Sequence, residues 1–127
     1  SMHSTPTTRL RAEDEQAAMR RAVRALNLAG IKHGVAVVCI SAVNRGKGGE
    51  MRKSGRGTNP GSDIFRGSSW LEYTCLSGLA LVRREDAMTV GGSVEEELYV
   101  VKNRRGVSGS VDLLYCGEYG RFQTRDD

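Results

Sequence analysis

The apolar positions near the start of the chain repeat with a helical period. Between residues 12 and 32, Met19, Val23 and Leu26 lie on one stripe with an alanine-rich stripe beside it, a pattern typical of an amphipathic helix. Gly34 follows as a stop signal. The pattern therefore predicts a helix over about residues 12–32.

A continuous apolar run follows this helix at residues 35–41. Because the run does not alternate with polar residues, it is typical of a strand buried on both faces, as in a parallel sheet flanked by helices. Residues 78–82 have the same character. A helix that leads into a buried strand is half of a βαβ unit, so this part of the chain predicts a parallel α/β sheet.

The last third of the chain predicts an antiparallel hairpin. Residues 97–102 and 110–116 are strand-like, and the turn between them, residues 103–109, contains two glycines that we expect to supply positive φ. A short third strand is expected over residues 119–122.

Residues 45–61 contain six glycines, one proline and almost no apolar side chains. A stretch of this length without secondary structure is usually functional or disordered, so we expect a flexible basic loop. Ser62 and Asp63 are expected to cap a short helix around residues 70–72.

Composition places the chain among soluble proteins. Its 127 residues, 39% hydrophobic and 27% charged, suit one domain. The sequence contains no membrane-length apolar run and no signal peptide. Cys39, Cys75 and Cys116 are odd in number and far apart, which argues against a disulfide framework or a zinc site. We expect buried, reduced thiols in a cytoplasmic protein with no membrane partner.

The net charge of +4 is unevenly distributed. Residues 45–66 carry six Lys and Arg against two carboxylates, whereas residues 67–97 carry two against six. This asymmetry predicts an edge that faces a polyanion, although a solvated surface connection would have the same composition. With no aromatic side chain for base stacking, we expect contacts to the phosphate backbone of single-stranded DNA without sequence preference. The candidate DNA-binding residues are Arg45, Lys47, Arg52, Lys53 and Arg56.

Three segments carry a family resemblance. Residues 37–45 read Val-Val-Cys-Ile-Ser-Ala-Val-Asn-Arg, and residues 62–72 read Ser-Asp-Ile-Phe-Arg-Gly-Ser-Ser-Trp-Leu-Glu. Residues 101–111 read Val-Lys-Asn-Arg-Arg-Gly-Val-Ser-Gly-Ser-Val, with Tyr-Gly-Arg-Phe at 119–122. In this order and spacing they resemble the C-terminal part of the RecA-like ATPase core of DnaB-family replicative helicases and related RepA-type hexameric helicases.

The resemblance implies an α/β fold, the C-terminal portion of a RecA-like (P-loop NTPase) sheet with helices and an antiparallel β-hairpin at its edge. It divides the chain into a flexible lead-in with a tag remnant over residues 1–11, a partial helicase domain over residues 12–123 and a tail over residues 124–127. The full-length protein would be a hexameric, ATP-hydrolysing DNA helicase of DNA replication that moves along single-stranded DNA.

The resemblance also implies site residues. Lys102 and Arg104 would be catalytic and would reach the γ-phosphate on the neighbouring subunit as a finger supplied in trans. Residues i and i+2 of a strand point to one side, so both cations can reach one target, but an ordinary exposed hairpin tip has the same spacing. Ser41 and Asn44, at the end of the strand predicted over residues 35–41, would sense the nucleotide, or would simply end the strand.

Two motifs that nucleotide hydrolysis needs are missing from the sequence. No G-x-x-x-x-G-K-[ST] loop occurs, and no apolar strand ending in Asp precedes the first helix. We therefore expect a partial domain that binds no ATP or magnesium and is inactive alone, although the full-length protein would use both. The family's phosphate-sensing glutamine aligns with Ala42, whose methyl group cannot sense a phosphate.

Two alternatives stay open, a nucleic-acid-binding module without catalysis and a RecA-fold ATPase of recombination or regulation.

Overall fold

The structure is a computed structural model, and it describes residues 6–43, 45–61, 64 and 69–125. The helices are α1 (Pro6–His33), α2 (Arg45–Lys53) and α3 (Ser69–Thr74). The strands are β1 (Ser77–Val82), β2 (Thr89–Val90), β3 (Ser93–Asn103), β4 (Gly109–Cys116) and β5 (Arg121–Thr124). The fold is therefore mixed α/β.

The five described strands form one antiparallel sheet in the order β1-β3-β4-β5, and β2 pairs with the start of β3. The predicted hairpin is confirmed as β3 and β4, although β3 begins four residues earlier than expected. The strand predicted over residues 78–82 is confirmed as β1, but its side chains alternate between exposed and buried. The third strand lies two residues later than predicted, at β5. The expectation of a parallel sheet is not met by the described strands, all of which pair antiparallel.

The strand predicted over residues 35–41 is wrong. These residues have no regular secondary structure, and Val38 and Ile40 are 90% and 99% exposed. A strand buried on both faces needs neighbouring strands, and none of the pairings of β1 to β5 involves residues 35–41; within residues 35–43 only Val43 forms an isolated β-bridge. The apolar run thus has the composition of a buried strand without a described strand beside it.

Helix α1 begins six residues earlier than predicted, so the lead-in expected over residues 1–11 is wrong for residues 6–11. Pro6 occupies the first helical position, where its missing N–H costs no hydrogen bond. Residues 1–5 lie outside the described residues, as do Ser62 and Asp63, so the predicted cap of α3 is not described. The α3 helix itself is confirmed.

Residues 45–53 form helix α2, so the flexible loop expected there is wrong for this half of the segment. Each interior glycine costs a helix roughly 1 kcal/mol relative to alanine, which is why the sequence favours a loop. Packing outweighs this preference because Met51 is buried in the core. Ser54 directly follows the last residue of the helix, and its N–H and hydroxyl both donate to the Glu50 carbonyl, at 3.0 and 2.7 Å.

The core lies on one face of the sheet. Cross-strand partners share a face, and the register pairs Ala80 with Tyr99 and Val82 with Glu97. The buried side chains on this face pack with Met51 of α2 and with Ile64. The opposite face carries half-exposed apolar side chains, at Leu79, Leu81, Val111 and Phe122. The sheet therefore has one face covered by α2 and one open face.

No helix in the described part of the chain is both long enough and apolar enough to cross a membrane. All three cysteines are free. Cys75 and Cys116 are half-buried, whereas Cys39 lies in the exposed apolar run. The expectation that all three thiols are buried is therefore wrong.

Candidate functional site

The β3–β4 hairpin ends in a turn that carries the cations of the predicted finger. Lys102 lies near the end of β3, half-buried and paired in register with Gly78 of β1. Arg104 follows in the turn and is exposed, as is Arg105. The structure thus brings Lys102 and Arg104 to the same end of the hairpin, but Arg104 lies in the turn and not on the strand, so the expected i, i+2 placement on one side of a strand is wrong for it.

Two contacts fix Arg104 to the end of α3. Its backbone N–H donates to the Leu76 carbonyl at 3.1 Å, and its guanidinium donates to the Tyr73 carbonyl in the last turn of α3. The last carbonyls of a helix have no partner within the helix and carry partial negative charge, so a cation is favoured there. The turn is therefore anchored and does not project freely.

The turn needs glycine for a different reason from the one predicted. Neither Gly106 nor Gly109 has a positive φ. The Asn103 side chain instead crosses the turn, accepting from the Arg105 N–H and donating to the Val107 carbonyl, both at 3.3 Å. A Cβ at Gly106 would lie 2.8 Å from the Asn103 amide nitrogen. Close approach of a side chain therefore requires glycine at position 106.

The candidate DNA-binding residues fall into two groups. Arg45 is the first residue of α2. Lys47, Arg52 and Lys53 lie further along the helix, and their side chains are exposed. Lys47 is 4.0 Å from Glu50, one turn further along the helix. Lys47, Arg52 and Lys53 thus give α2 an exposed basic surface, and we call residues 45–58 the basic segment.

Arg56 differs from the other four cations. Its guanidinium donates to Asp112 of β4 at 2.9 Å and lies 4.0 Å from Glu95 of β3. Glu95 also accepts from Arg125, and a cavity of about 160 Å³ lies among these charged side chains. A cation committed to two carboxylates is less available to phosphate, so we exclude Arg56 from the proposed contact set.

A buried polar cluster of Arg84, Glu97 and Tyr99 lies beneath the basic segment. Arg84 donates to Glu97 at 2.7 Å and to the Tyr99 hydroxyl at 3.1 Å, and that hydroxyl donates to Glu97 at 2.6 Å. The Arg84 and Glu97 side chains are only 4% and 7% exposed. Charges this deeply buried are tolerated because each is paired and hydrogen-bonded.

The cluster perturbs the pKa of each of its members. Burial alone would raise the pKa of Glu97, but hydrogen bonds from Arg84, Tyr99 and the Gly57 amide outweigh it and hold that pKa below its ordinary value. Burial and the hydrogen bond to Glu97 raise the pKa of Tyr99. Burial would lower the pKa of Arg84, yet its contacts with Glu97 and Tyr99 raise it. The cluster therefore holds a carboxylate, a guanidinium and a neutral phenol.

The same cluster holds the backbone of the basic segment. Arg84 donates to the carbonyls of Met51, at 2.5 Å, and Thr58, at 2.7 Å. Glu97 accepts the Gly57 N–H at 2.8 Å, in a turn where Gly57 has a φ of 88° that other residues rarely adopt. The chain around α2 is therefore fastened to the sheet through its main chain.

The predicted nucleotide-sensing pair is not brought to a strand end. Ser41 is half-buried, and its hydroxyl donates to the carbonyl of Ala42 at 3.2 Å. Asn44 lies outside the described residues. Because residues 35–42 form no strand, the predicted location of Ser41 at a carboxyl edge of the sheet is wrong.

Comparison with known proteins adds no relative. No protein-family model matches this chain, and no curated protein matches it significantly.

Sequence reasoning missed Arg84 and Glu97. The acidic excess over residues 67–97 indicated only a charge asymmetry, whereas three of its carboxylates, at positions 95, 96 and 97, pair with arginines within the fold. The sequence does contain a signal for such buried carboxylates, namely three consecutive glutamates at the start of an apolar strand pattern. Because side chains alternate between the two faces of a strand, at least one of the three glutamates must point toward the core face. Arg56 shows the same effect, since it is a basic-segment cation that pairs with acidic strands.

Proposed function

We propose that this chain is part of a hexameric, ATP-dependent DNA helicase that acts in the cytoplasm on single-stranded DNA. In this proposal the turn after β3 supplies Lys102 and Arg104 in trans to a nucleotide on the neighbouring subunit. The basic segment contacts the phosphate backbone of the DNA. The resemblance of residues 37–45, 62–72 and 101–111 to DnaB-family helicases supplies the functional class.

The geometry of the hairpin turn is the observation that supports the proposal most. Arg104 is exposed while its backbone N–H and guanidinium are both anchored to the end of α3. A guanidinium has five N–H donors in a planar fork, so the contact with Tyr73 is compatible with binding a second acceptor. An arginine held in this way is pre-organised to stabilise charge on a transferring phosphoryl group.

The basic segment supports the DNA contact. Lys47, Arg52 and Lys53 are exposed along one helix whose backbone is fixed to the sheet. Cations on a fixed helix can neutralise adjacent phosphates with little loss of conformational entropy.

We assign no nucleotide or magnesium site to this chain. The sequence holds no phosphate-binding loop. Among the described residues, no three His, Cys, Asp or Glu side chains form a group that could hold a metal ion. The residues present therefore do not fit an ATP–magnesium complex, and Lys102 and Arg104 would meet the nucleotide only across a subunit boundary.

Binding of fluorescein-labelled oligo-dT by this chain tests the DNA contact. If three phosphates are neutralised, the logarithm of the binding constant should fall against the logarithm of the salt concentration with a slope of roughly −2. The double variant Arg52→Ala/Lys53→Ala should flatten the slope to about −0.7. The matched control Arg20→Ala/Arg21→Ala removes two adjacent exposed cations from α1 and should leave the slope unchanged. Equal losses in both double variants would contradict the assignment.

Subunit mixing in the full-length protein tests the finger. Arg104→Ala should slow ATP hydrolysis by at least ~10²-fold, because a finger supplied in trans contributes ~10³–10⁵ in rate. Arg104→Lys should restore little, since lysine lacks the planar fork. In mixed hexamers each Arg104→Ala subunit should inactivate a neighbour's site as well. Turnover that falls only in proportion to the mutant fraction, or an equal loss in Arg105→Ala, would defeat the assignment.

A nucleic-acid-binding module without catalysis is the second candidate. Ala42, at the position of the family's phosphate-sensing glutamine, favours it because a methyl group makes no hydrogen bond. This candidate predicts oligo-dT binding by the chain together with no ATP hydrolysis by the full-length protein, whether or not Arg104 is present.

A further inference from the structure

Four main-chain contacts join the basic segment to residues outside it. Arg84 donates to two carbonyls of the segment, at Met51 and Thr58, and Glu97 accepts the N–H of Gly57. The fourth contact is from the Glu85 N–H to the Arg52 carbonyl, at 2.9 Å. A displacement of α2 relative to the sheet must therefore strain or break bonds to the Arg84–Glu97–Tyr99 cluster.

The cluster is also continuous with the strand that leads to the hairpin turn. Glu97 and Tyr99 both lie on β3, which continues as one strand to Lys102 and Asn103, although its register with β1 shifts between Val100 and Lys102, where Val101 is an extra residue. Five residues separate Glu97 from Lys102, or roughly 17 Å of extended chain. Between them β3 is paired with β1 on one side and, as far as Val100, with β4 on the other. As far as Val100 the strand is paired on both sides and moves with little internal bending, and beyond it the strand follows β1 through the register shift to Lys102.

We propose that the Arg84–Glu97–Tyr99 cluster is a positioning element, which transmits the engagement of single-stranded DNA by the basic segment along β3 to Lys102 and Arg104. This inference rests on the proposed function and deepens it by naming the residues that link its two sites. The buried cluster touches neither DNA nor nucleotide. Arg84, Glu97 and Tyr99 act by fixing where α2 lies relative to β3.

The neighbouring pair on the opposite face supplies a matched control. Arg83 donates to Glu96 with the same thirteen-residue separation as Arg84 and Glu97. Neither residue is bonded to the basic segment in any described contact, and the register pairs Glu96 with Leu113 of β4. Glu96→Gln therefore alters an ion pair on the same strand without touching the proposed connection.

Backbone amide chemical shifts of residues 102–109, recorded for this chain with and without saturating oligo-dT, test the inference. In the wild-type chain we expect the turn amides to shift together with Gly57. Arg84→Lys keeps the charge but lacks the planar fork that reaches Met51, Thr58 and Glu97 together, and it should reduce the turn shifts at least twofold. Tyr99→Phe keeps the buried ring and removes only the hydroxyl, so it tests the cluster with little risk to folding, and it should reduce them too. Glu96→Gln should retain the wild-type response.

A purely structural role would lower stability but would leave the response of the folded chain at saturating DNA intact. Wild-type shifts retained in both Arg84→Lys and Tyr99→Phe would therefore overturn the inference, as would an equal loss in Glu96→Gln. Direct contact between DNA and the turn would also give shifts that persist in the variants. If the wild-type chain binds the oligonucleotide but the amides of residues 102–109 do not shift, the proposed link between the two sites is overturned while the proposed function stands. No binding by the wild type would overturn the proposed function itself.

Discussion

Two ion pairs at neighbouring positions of the same strands have different environments. Arg84–Glu97 lies on the covered face of the sheet, with side chains 4% and 7% exposed, and Arg84 reaches four acceptors. Arg83–Glu96 lies on the open face, where Arg83 is 48% exposed and donates only to one Glu96 oxygen among the described contacts. Arg83 also lies 5.7 Å from the Tyr115 ring centroid.

The comparison shows that sequence spacing does not determine what an ion pair does. A single step along a strand turns the side chain to the other face, yet the two glutamates are about equally buried, at 6% and 7% exposed. The pairs differ at the arginine, which is 48% exposed for Arg83 and 4% for Arg84. A pair buried at both ends leaves an uncompensated charge when it loses one member, whereas a pair with one exposed end is screened by water at that end. The covered pair organises main chain around it, and the open pair does not.

Removing the buried arginine should have the largest effect. Arg84→Ala leaves Glu97 buried without its partner and frees the carbonyls of Met51 and Thr58, so we expect the free energy of unfolding to fall by about 3–5 kcal/mol. Urea denaturation followed by circular dichroism measures the change. Arg83→Ala, the same substitution one residue earlier, also leaves a buried carboxylate without its partner but frees no main-chain carbonyl, so it should cost less, about 1–3 kcal/mol. Similar losses at both positions would show that the face of the sheet does not matter.

Titration of Glu97 sharpens the comparison. Because its folded-state pKa is lowered, Glu97 contributes stability that is fully present above the ordinary carboxyl pKa of about 4.3 and is lost as pH falls through the folded-state value. Tyr99 has a raised pKa, so its contribution is present below about pH 10 and is lost above it. Glu97→Gln should lower the free energy of unfolding at pH 7 by about 1.5–3 kcal/mol. In a plot of the urea midpoint of unfolding against pH, the decrease at acidic pH should also become less steep in this variant. An acid limb as steep as that of the wild type would contradict the assigned carboxylate.

Replacing Glu96 should have the smallest effect. One of its oxygens, Oε2, is buried and accepts no hydrogen bond within the described part of the chain. Glu96→Leu removes this desolvated oxygen and leaves Arg83 able to reach water, so we expect a change within about 1 kcal/mol in either direction. Thermal unfolding of the variant checks this, and a loss of 3 kcal/mol would show that the open-face pair is as important as the covered one.

The sequence predicted the elements whose stabilising contacts are local or consecutive. Helix α1, strand β1 and the β3–β4 hairpin follow from periodicity and from pairing between neighbouring segments. Helix α2 could not be predicted, because its glycine content favours a loop and only the packing of Met51 against the sheet favours a helix.

Contacts between distant segments account for the rest of the difference. The apolar run over residues 35–41 has the composition of a buried strand, but composition does not specify whether a strand lies beside it. Arg56 was predicted as a DNA contact, and its pairing with Asp112 depends on a fold that brings the basic segment against β4. Lys102 and Arg104 were predicted at one end of the hairpin because their spacing is local.

The amide of Gly57 tests the central claim most directly, because its N–H donates to Glu97 across forty residues of sequence. Hydrogen exchange at this amide reports whether the basic segment is fastened to the covered face of the sheet. We predict that Glu97→Ala removes its protection, at least tenfold in exchange rate, while Glu96→Ala leaves it within about twofold of the wild type. Protection that survives Glu97→Ala, or that is lost equally in Glu96→Ala, would contradict the claim that the buried cluster holds the segment.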